Sequence, residues 1–189
     1  MLKKLFIAVA LVATVACGSQ NGTKTTQKPD KNFYIYLAFG QSNMEGNARI
    51  EDQDREGISD RWQMMAAVDF PKMERKKFEW YTAVPPLCRE NNGLTPVDYF
   101  GRTMVANLPE KVRVGVICVA VGGCKIEAFM KDRAQEYGDN AAMWMKNWIA
   151  PYDNNCYQRL LECAKEAQKV GVIKGFLMHQ GESNIDEED

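Results

Sequence analysis

Histidine is nearly absent from this chain: His179 is the only one in 189 residues. A metal site built from several histidines is therefore excluded, and any imidazole chemistry falls on one side chain. Positive charge is not in excess either. Lys and Arg number 24 against 25 Asp and Glu, a formal net charge of −1. Nothing supplies the basic surplus that a phosphate backbone demands, so nucleic acid is not an expected partner. The most apolar stretch, Leu5 to Ala16, is twelve residues, too short to cross a bilayer. Neither G-x-x-x-x-G-K-[ST] nor G-x-G-x-x-G occurs, which removes the usual nucleotide cradles. No two of the six cysteines are spaced like zinc ligands.

What is present begins with an address. Lys3 and Lys4 precede the apolar stretch, and Ala16-Cys17-Gly18-Ser19 follows it. Residues 1–17 read as an export leader ending in a bacterial lipobox, with Cys17 carrying the lipid and forming the only membrane attachment. Thr14 replaces the usual leucine, so simple cleavage after Ala16 is the other reading. The protein is expected in the bacterial envelope. Residues 18–31 are polar and without apolar periodicity, a tether. Residues 32–189 then form one domain of ordinary size, and a composition of 46% hydrophobic and 26% charged residues suits a globular one. Cys88, Cys118, Cys124, Cys156 and Cys163 remain after Cys17. An odd number makes no complete disulfide framework, though one pair stays open in an exported protein. Cys118, inside an apolar run, reads as a small core residue.

The domain alternates two periodicities. Phe33 to Phe39, Val112 to Val121 and Val172 to Met178 are apolar, β-branched or aromatic runs, read as strands buried on both faces. Thr95 can cap a helix with Pro96 at its first position, running through Tyr99 and Met104 to Leu108. Asn155 can cap another, with Tyr157, Leu160, Leu161, Ala164 and Ala167 on its stripe and Gly171 as its stop. This alternation predicts a parallel sheet covered by helices. Arg49 to Pro86 is less regular and reads as a long decorated loop, with Arg75-Lys76-Lys77 as a solvated face.

In an open parallel sheet, ligands bind at the carboxyl ends of the strands. Each strand run here is followed by a polar, glycine-bearing loop: Gly40-Gln41-Ser42-Asn43-Met44-Glu45-Gly46, Gly122-Gly123-Cys124-Lys125-Ile126-Glu127, and His179-Gln180-Gly181-Glu182-Ser183-Asn184. Ser42 between glycines can be projected from a sharp turn as a nucleophile. Gly123 lets its N–H approach a substrate oxygen, and the Gln180 amide can donate to the same oxygen, together an oxyanion hole. Glu182 can orient its neighbours. Taken singly, each loop reads first as an ordinary turn. Their joint occurrence at three strand ends is what points to catalysis.

FGQSNMEG, VAVGGCKIEAF and HQGESN together resemble the sialate O-acetylesterase and acetylxylan esterase group of SGNH hydrolases, over roughly Asn32 to Asn184. The resemblance implies a three-layer α/β/α, flavodoxin-like fold with a parallel sheet. It implies removal of acetyl groups from glycan hydroxyls, without metal or cofactor, on an acetylated carbohydrate substrate. Ser42 would be the nucleophile, its own N–H, Gly123 and Gln180 the oxyanion donors, and Glu182 and His179 supporting residues. The resemblance also implies a general base in an Asp-x-x-His motif, which this sequence lacks.

Three readings follow. In the first, the chain is the front part of an esterase whose C-terminal elements are missing, leaving an open sheet edge and an uncovered apolar face. In the second it is a catalytically dead relative that binds acetylated glycans. In the third it is a weak esterase using His179 or a borrowed base. Trp62, Trp80, Tyr81 and Trp144 are candidates to stack on sugar rings, and equally core or lid residues.

Overall fold

A computed structural model describes residues 28–185. The leader, Cys17, most of the tether and the acidic ending Asp186 to Asp189 lie outside the described residues. The chain runs β1 (Phe33–Gly40), α1 (Ser42–Glu45), β2 (Trp62–Met65), β3 (Trp80–Thr82), α2 (Pro96–Asn107), β4 (Arg113–Ala120), α3 (Ala134–Asn140), α4 (Met143–Ile149), α5 (Cys156–Ala167) and β5 (Val172–His179). Short 3-10 turns link several of them.

The sheet has the order β3-β2-β4-β1-β5. All pairings are parallel except β2 with β3. The three long strands β1, β4 and β5 therefore stand second–first–third, the flavodoxin-type arrangement. The chain leaves β1 toward β2 on one side and later crosses from β4 past β1 to β5 on the other, so a crevice opens at the carboxyl end of β1. Phe33, Ile35, Leu37 and the whole of β4 from Val114 to Ala120 are buried, as near-continuous apolar strands between covering layers should be.

Three sequence expectations need correcting. The Arg49 to Pro86 segment is not a decorated loop: it supplies β2 and β3, two of the five strands. Both are only four and three residues long, too short to display a period. Arg75 is not on a solvated face. It is buried, its guanidinium donating to the carbonyls of Pro86 at 3.0 Å and Val84 at 2.8 Å, while Lys76 and Lys77 stay exposed. Nor is β5 buried on both faces. It is an edge strand with one neighbour, and Phe176 and Met178 on it are exposed.

The helices start where their caps dictate. Thr95 Oγ1 accepts the Val97 N–H at 3.3 Å, and Asp98 reaches back to the Thr95 N–H at 2.9 Å. Asn155 Oδ1 accepts the Gln158 N–H at 2.9 Å. The deepest face of α5 is Cys156, Arg159, Cys163 and Ala167 rather than the leucine stripe, which is half-buried. Arg159 explains the shift. Its buried guanidinium satisfies the Ala67 carbonyl at 2.7 Å and the Pro151 carbonyl at 3.2 Å, and it pairs with Asp153 and Glu162. The five described cysteines are all free and buried. Burial pushes the Cys124 and Cys163 thiols up to about 12, which leaves them as inert apolar filling.

Asp98 gives the fold a pH dependence. Burial, opposed by the Thr95 N–H and Arg102, raises its carboxyl to about 7. Between the unfolded value near 3.8 and about 7, the folded chain holds a proton that the unfolded chain has released. This contribution is therefore fully present below the unfolded value and is lost as pH rises toward 7, on the order of 4 kcal/mol in all. Comparing urea midpoints at about pH 5 and about pH 8, Asp98→Asn should remove most of this fall. An unchanged slope in Asp98→Asn would assign it to other groups.

Candidate active site

The register brings the three loops to one level. Gly40, the last residue of β1, stands opposite Ala120 on β4 and His179 on β5. The Gln41 N–H donates to the His179 carbonyl at 3.1 Å, and the Val121 N–H to the Gly40 carbonyl at 3.0 Å. A Cβ on Gly40 would fall 2.0 Å from that His179 carbonyl oxygen, so only glycine lets the strands converge here.

Ser42 is half-buried at the start of α1. Among the described residues its hydroxyl makes no hydrogen bond. Gly122 lies against it: a Cβ there would stand 3.6 Å from the Ser42 Cβ. Gly123 follows with φ +73°, a left-handed conformation that turns the backbone beside the serine. Gln180 comes to the same place by a different route. Its Nε2 donates to the Cys124 carbonyl at 2.9 Å, which ties the amide to the Gly122-Gly123 loop and leaves its second N–H for another acceptor.

Glu182 and His179 lie next to each other. Glu182 Oε1 is 3.1 Å from His179 Nε2 and accepts the Asn43 amide at 3.1 Å. Burial raises the Glu182 carboxyl, but its own N–H, Gln41, Asn43 and the His179 ring outweigh it and hold the group below its ordinary range. It is thus a carboxylate at neutral pH, suited to orienting donors rather than to giving up a proton. Ser183 donates to the Gln41 side chain at 2.7 Å. Asn184 accepts the Ile126 N–H at 3.0 Å and donates to Glu127 at 3.1 Å. The third loop is thereby sewn to both of the others.

Sequence reasoning missed the group at the centre of this arrangement. Glu45, at the end of α1, is buried and accepts the Gly122 N–H at 2.6 Å. Its other oxygen takes the Asn92 amide at 3.1 Å and pairs with Arg89. The only available signal was an acid placed directly before Gly46 in the first loop. Asn43, the residue after Ser42, and His179 border a cleft of about 530 Å³ whose lining also includes Asn47, Leu94, Pro96 and Tyr99. Its walls carry no Asp, Glu, Lys or Arg and are part apolar and part hydrogen-bonding, as a small-molecule site requires.

Comparison with known proteins places this geometry in context. Residues 32–189 match the family model described as carbohydrate esterase, sialic acid-specific acetylesterase. The structure titled NanS is similar at 16% identity with a TM-score of 0.54, over 86% of this chain and 57% of that one. A protein from Arabidopsis thaliana is similar at 21% identity with a TM-score of 0.52, over 82% of this chain and 60% of that one. These two share the fold. A carbohydrate acetylesterase from Xanthomonas citri matches at 27% identity with a TM-score of 0.48, over 79% of this chain and 32% of that one. The chain spans less than two thirds of the length of each.

Proposed function

Because the chain belongs to the sialic acid-specific acetylesterase family of carbohydrate esterases, we propose that it acts on O-acetylated glycans through Ser42. Ser42 Oγ attacks the acetyl carbonyl and passes its proton to a base. The oxyanion takes hydrogen bonds from the Gly123 N–H, the Ser42 N–H and the free N–H of Gln180. The sugar alcohol leaves with a proton, and water releases acetate from the acetyl-serine. Glu182 and His179 orient the third loop. Residues 1–17 carry the protein to the envelope, where a lipid on Cys17 anchors it.

The observation that carries this reading is the placement of Ser42 next to the Gly122-Gly123 loop at the common end of three parallel strands, with Gln180 tied to the same loop. What is not in place is the base. The sequence holds one imidazole, and its Nε2 is at Glu182 rather than at Ser42. We therefore read these 189 residues as an impaired esterase, with a base required from elsewhere.

Added imidazole should then act as that base. We expect it to accelerate acetylation of Ser42 by p-nitrophenyl acetate about tenfold or more, a modest share of what a positioned base gives. The acetyl group is located on the Ser42 peptide by mass spectrometry after subtraction of the reaction in buffer. Fast acetylation without imidazole that disappears in His179→Ala would instead make His179 the base. The same free Ser42 hydroxyl favours a second reading, an acetylated-glycan binder without turnover. That reading predicts glycan affinity with no acetyl-serine under either condition.

A further inference from the structure

Of the aromatic side chains that could meet a sugar, three are occupied in the fold. Trp62 is fully buried. Trp80 packs edge-on against Phe33 at 4.8 Å, in the outermost strand. The Tyr81 hydroxyl is held by Glu79 at 2.9 Å and by the Lys76 N–H at 2.8 Å. Trp144 differs from all of them. It is 56% exposed, and its ring edge lies 3.2 Å from where a Cβ of Gly123 would be. Met143, Trp144 and Trp148 are all exposed on α4, a concentration of large apolar side chains of the kind that marks an interaction surface.

The helix that carries the Trp144 ring is anchored. Trp148, four residues further along α4 and so on the same helix face, lies under the Arg89 guanidinium at 4.9 Å, and its carbonyl accepts from Arg89 at 3.0 Å. Arg89 pairs with Glu45, and Glu45 holds the Gly122 N–H. One chain of contacts therefore joins the aromatic face of α4 to the loop beside Ser42, while Met145 and Ile149 fasten the other face of the helix to the core. The helix that carries Trp144 is thereby held in place before a ligand arrives, so only the side chain itself has to be ordered on binding.

Resting on the esterase reading, we infer that Trp144 is the platform on which the ring of an O-acetylated pyranose lies while its acetyl group is held at Ser42 and Gly123. A pyranose offers a face of C–H groups that suits an indole face, with its hydroxyls directed outward around the rim. The ester oxygen keeps a ring carbon only two bonds from the acetyl carbonyl carbon, and Trp144 borders the loop proposed to hold the carbonyl oxygen. The platform selects for a ring and not for an acetyl group as such.

The test is calorimetric titration of the full Ser42→Ala chain with methyl tri-O-acetyl-β-xylopyranoside, repeated with Trp144→Ala and Trp144→Phe added. Trp144→Ala should weaken binding about tenfold, the scale of one aromatic contact, and Trp144→Phe less than about threefold by the same measure. The Trp144 indole N–H resonance should shift on titration of the single variant. Equal affinity with and without Trp144 overturns the platform and leaves the esterase reading standing. Absence of binding in the single variant also overturns the platform. Acetate release by the unmodified chain then decides separately whether the esterase reading survives.

Discussion

Ser42→Ala should abolish formation of the acetyl-enzyme and lower acetate release from an O-acetylated xyloside by at least about a hundredfold. The loss of a nucleophile from a complete triad is larger, about a millionfold. On the proposed reading, in which no base stands at Ser42, the starting rate is low and the ratio is compressed. What remains after the substitution is the work of the oxyanion donors and of binding, which alone can give about a thousandfold over water. The variant should fold normally. The Ser42 hydroxyl has no hydrogen bond among the described residues and is half exposed to solvent, so its loss should change stability by less than about 0.5 kcal/mol. The measurement is acetate release together with mass analysis of the Ser42 peptide after exposure to p-nitrophenyl acetate. Undiminished release in Ser42→Ala would remove serine catalysis from consideration. Equal glycan affinity in both forms, with no acetate from either, would leave the binding reading.

Much of this site is legible before folding, because its parts are local. A strand run followed by a glycine-bearing polar loop is visible in a few residues, and parallel pairing of three such runs brings Ser42, Gly123 and Gln180 to one sheet end. The illegible parts depend on partners distant in the chain. Arg75 is written within a basic cluster, yet it is buried because Val84 and Pro86 present carbonyls to it. Arg159 looks like the polar side of α5 until the Ala67 carbonyl is seen beneath it. The composition of β5 suits a buried strand equally with one neighbour or two, so Phe176 and Met178 gave no sign of their exposure. Short β2 and β3 carry no period to detect. Trp144 was one aromatic among four, and only its position against Gly123 separates it from the others.

Glu45→Ala should cost the fold about 3–5 kcal/mol, the penalty for leaving a buried charge without its partner. Arg89, mostly buried, would keep its guanidinium but lose the carboxylate. The Asn92 amide and the Gly122 N–H would lose their acceptor at the same time. Against a total stability of about 5–15 kcal/mol for an ordinary domain this is a large fraction. Glu45→Gln should cost less, about 1–3 kcal/mol, because one amide oxygen can still accept from Gly122. Adding Arg89→Met to Glu45→Gln should recover part of that loss, since the unpaired charge is then gone. The coupling is read from urea unfolding of the two single variants and the double variant. Additive losses would show that the pair is not energetically joined. The same residue should matter for turnover without touching substrate. Glu45 holds the N–H next to Gly123, so its loss lets the proposed oxyanion donor drift, and displacement of about 1 Å can cost a hundredfold. For a positioning residue that acts on the transition state, kcat should fall with little change in KM. In Glu45→Gln, where the Gly122 hydrogen bond is retained, most of that rate should return even though the ion pair does not. A rate that instead follows the ion pair, low in Glu45→Gln, would move the role from Gly122 to Arg89 and the α4 platform that it anchors.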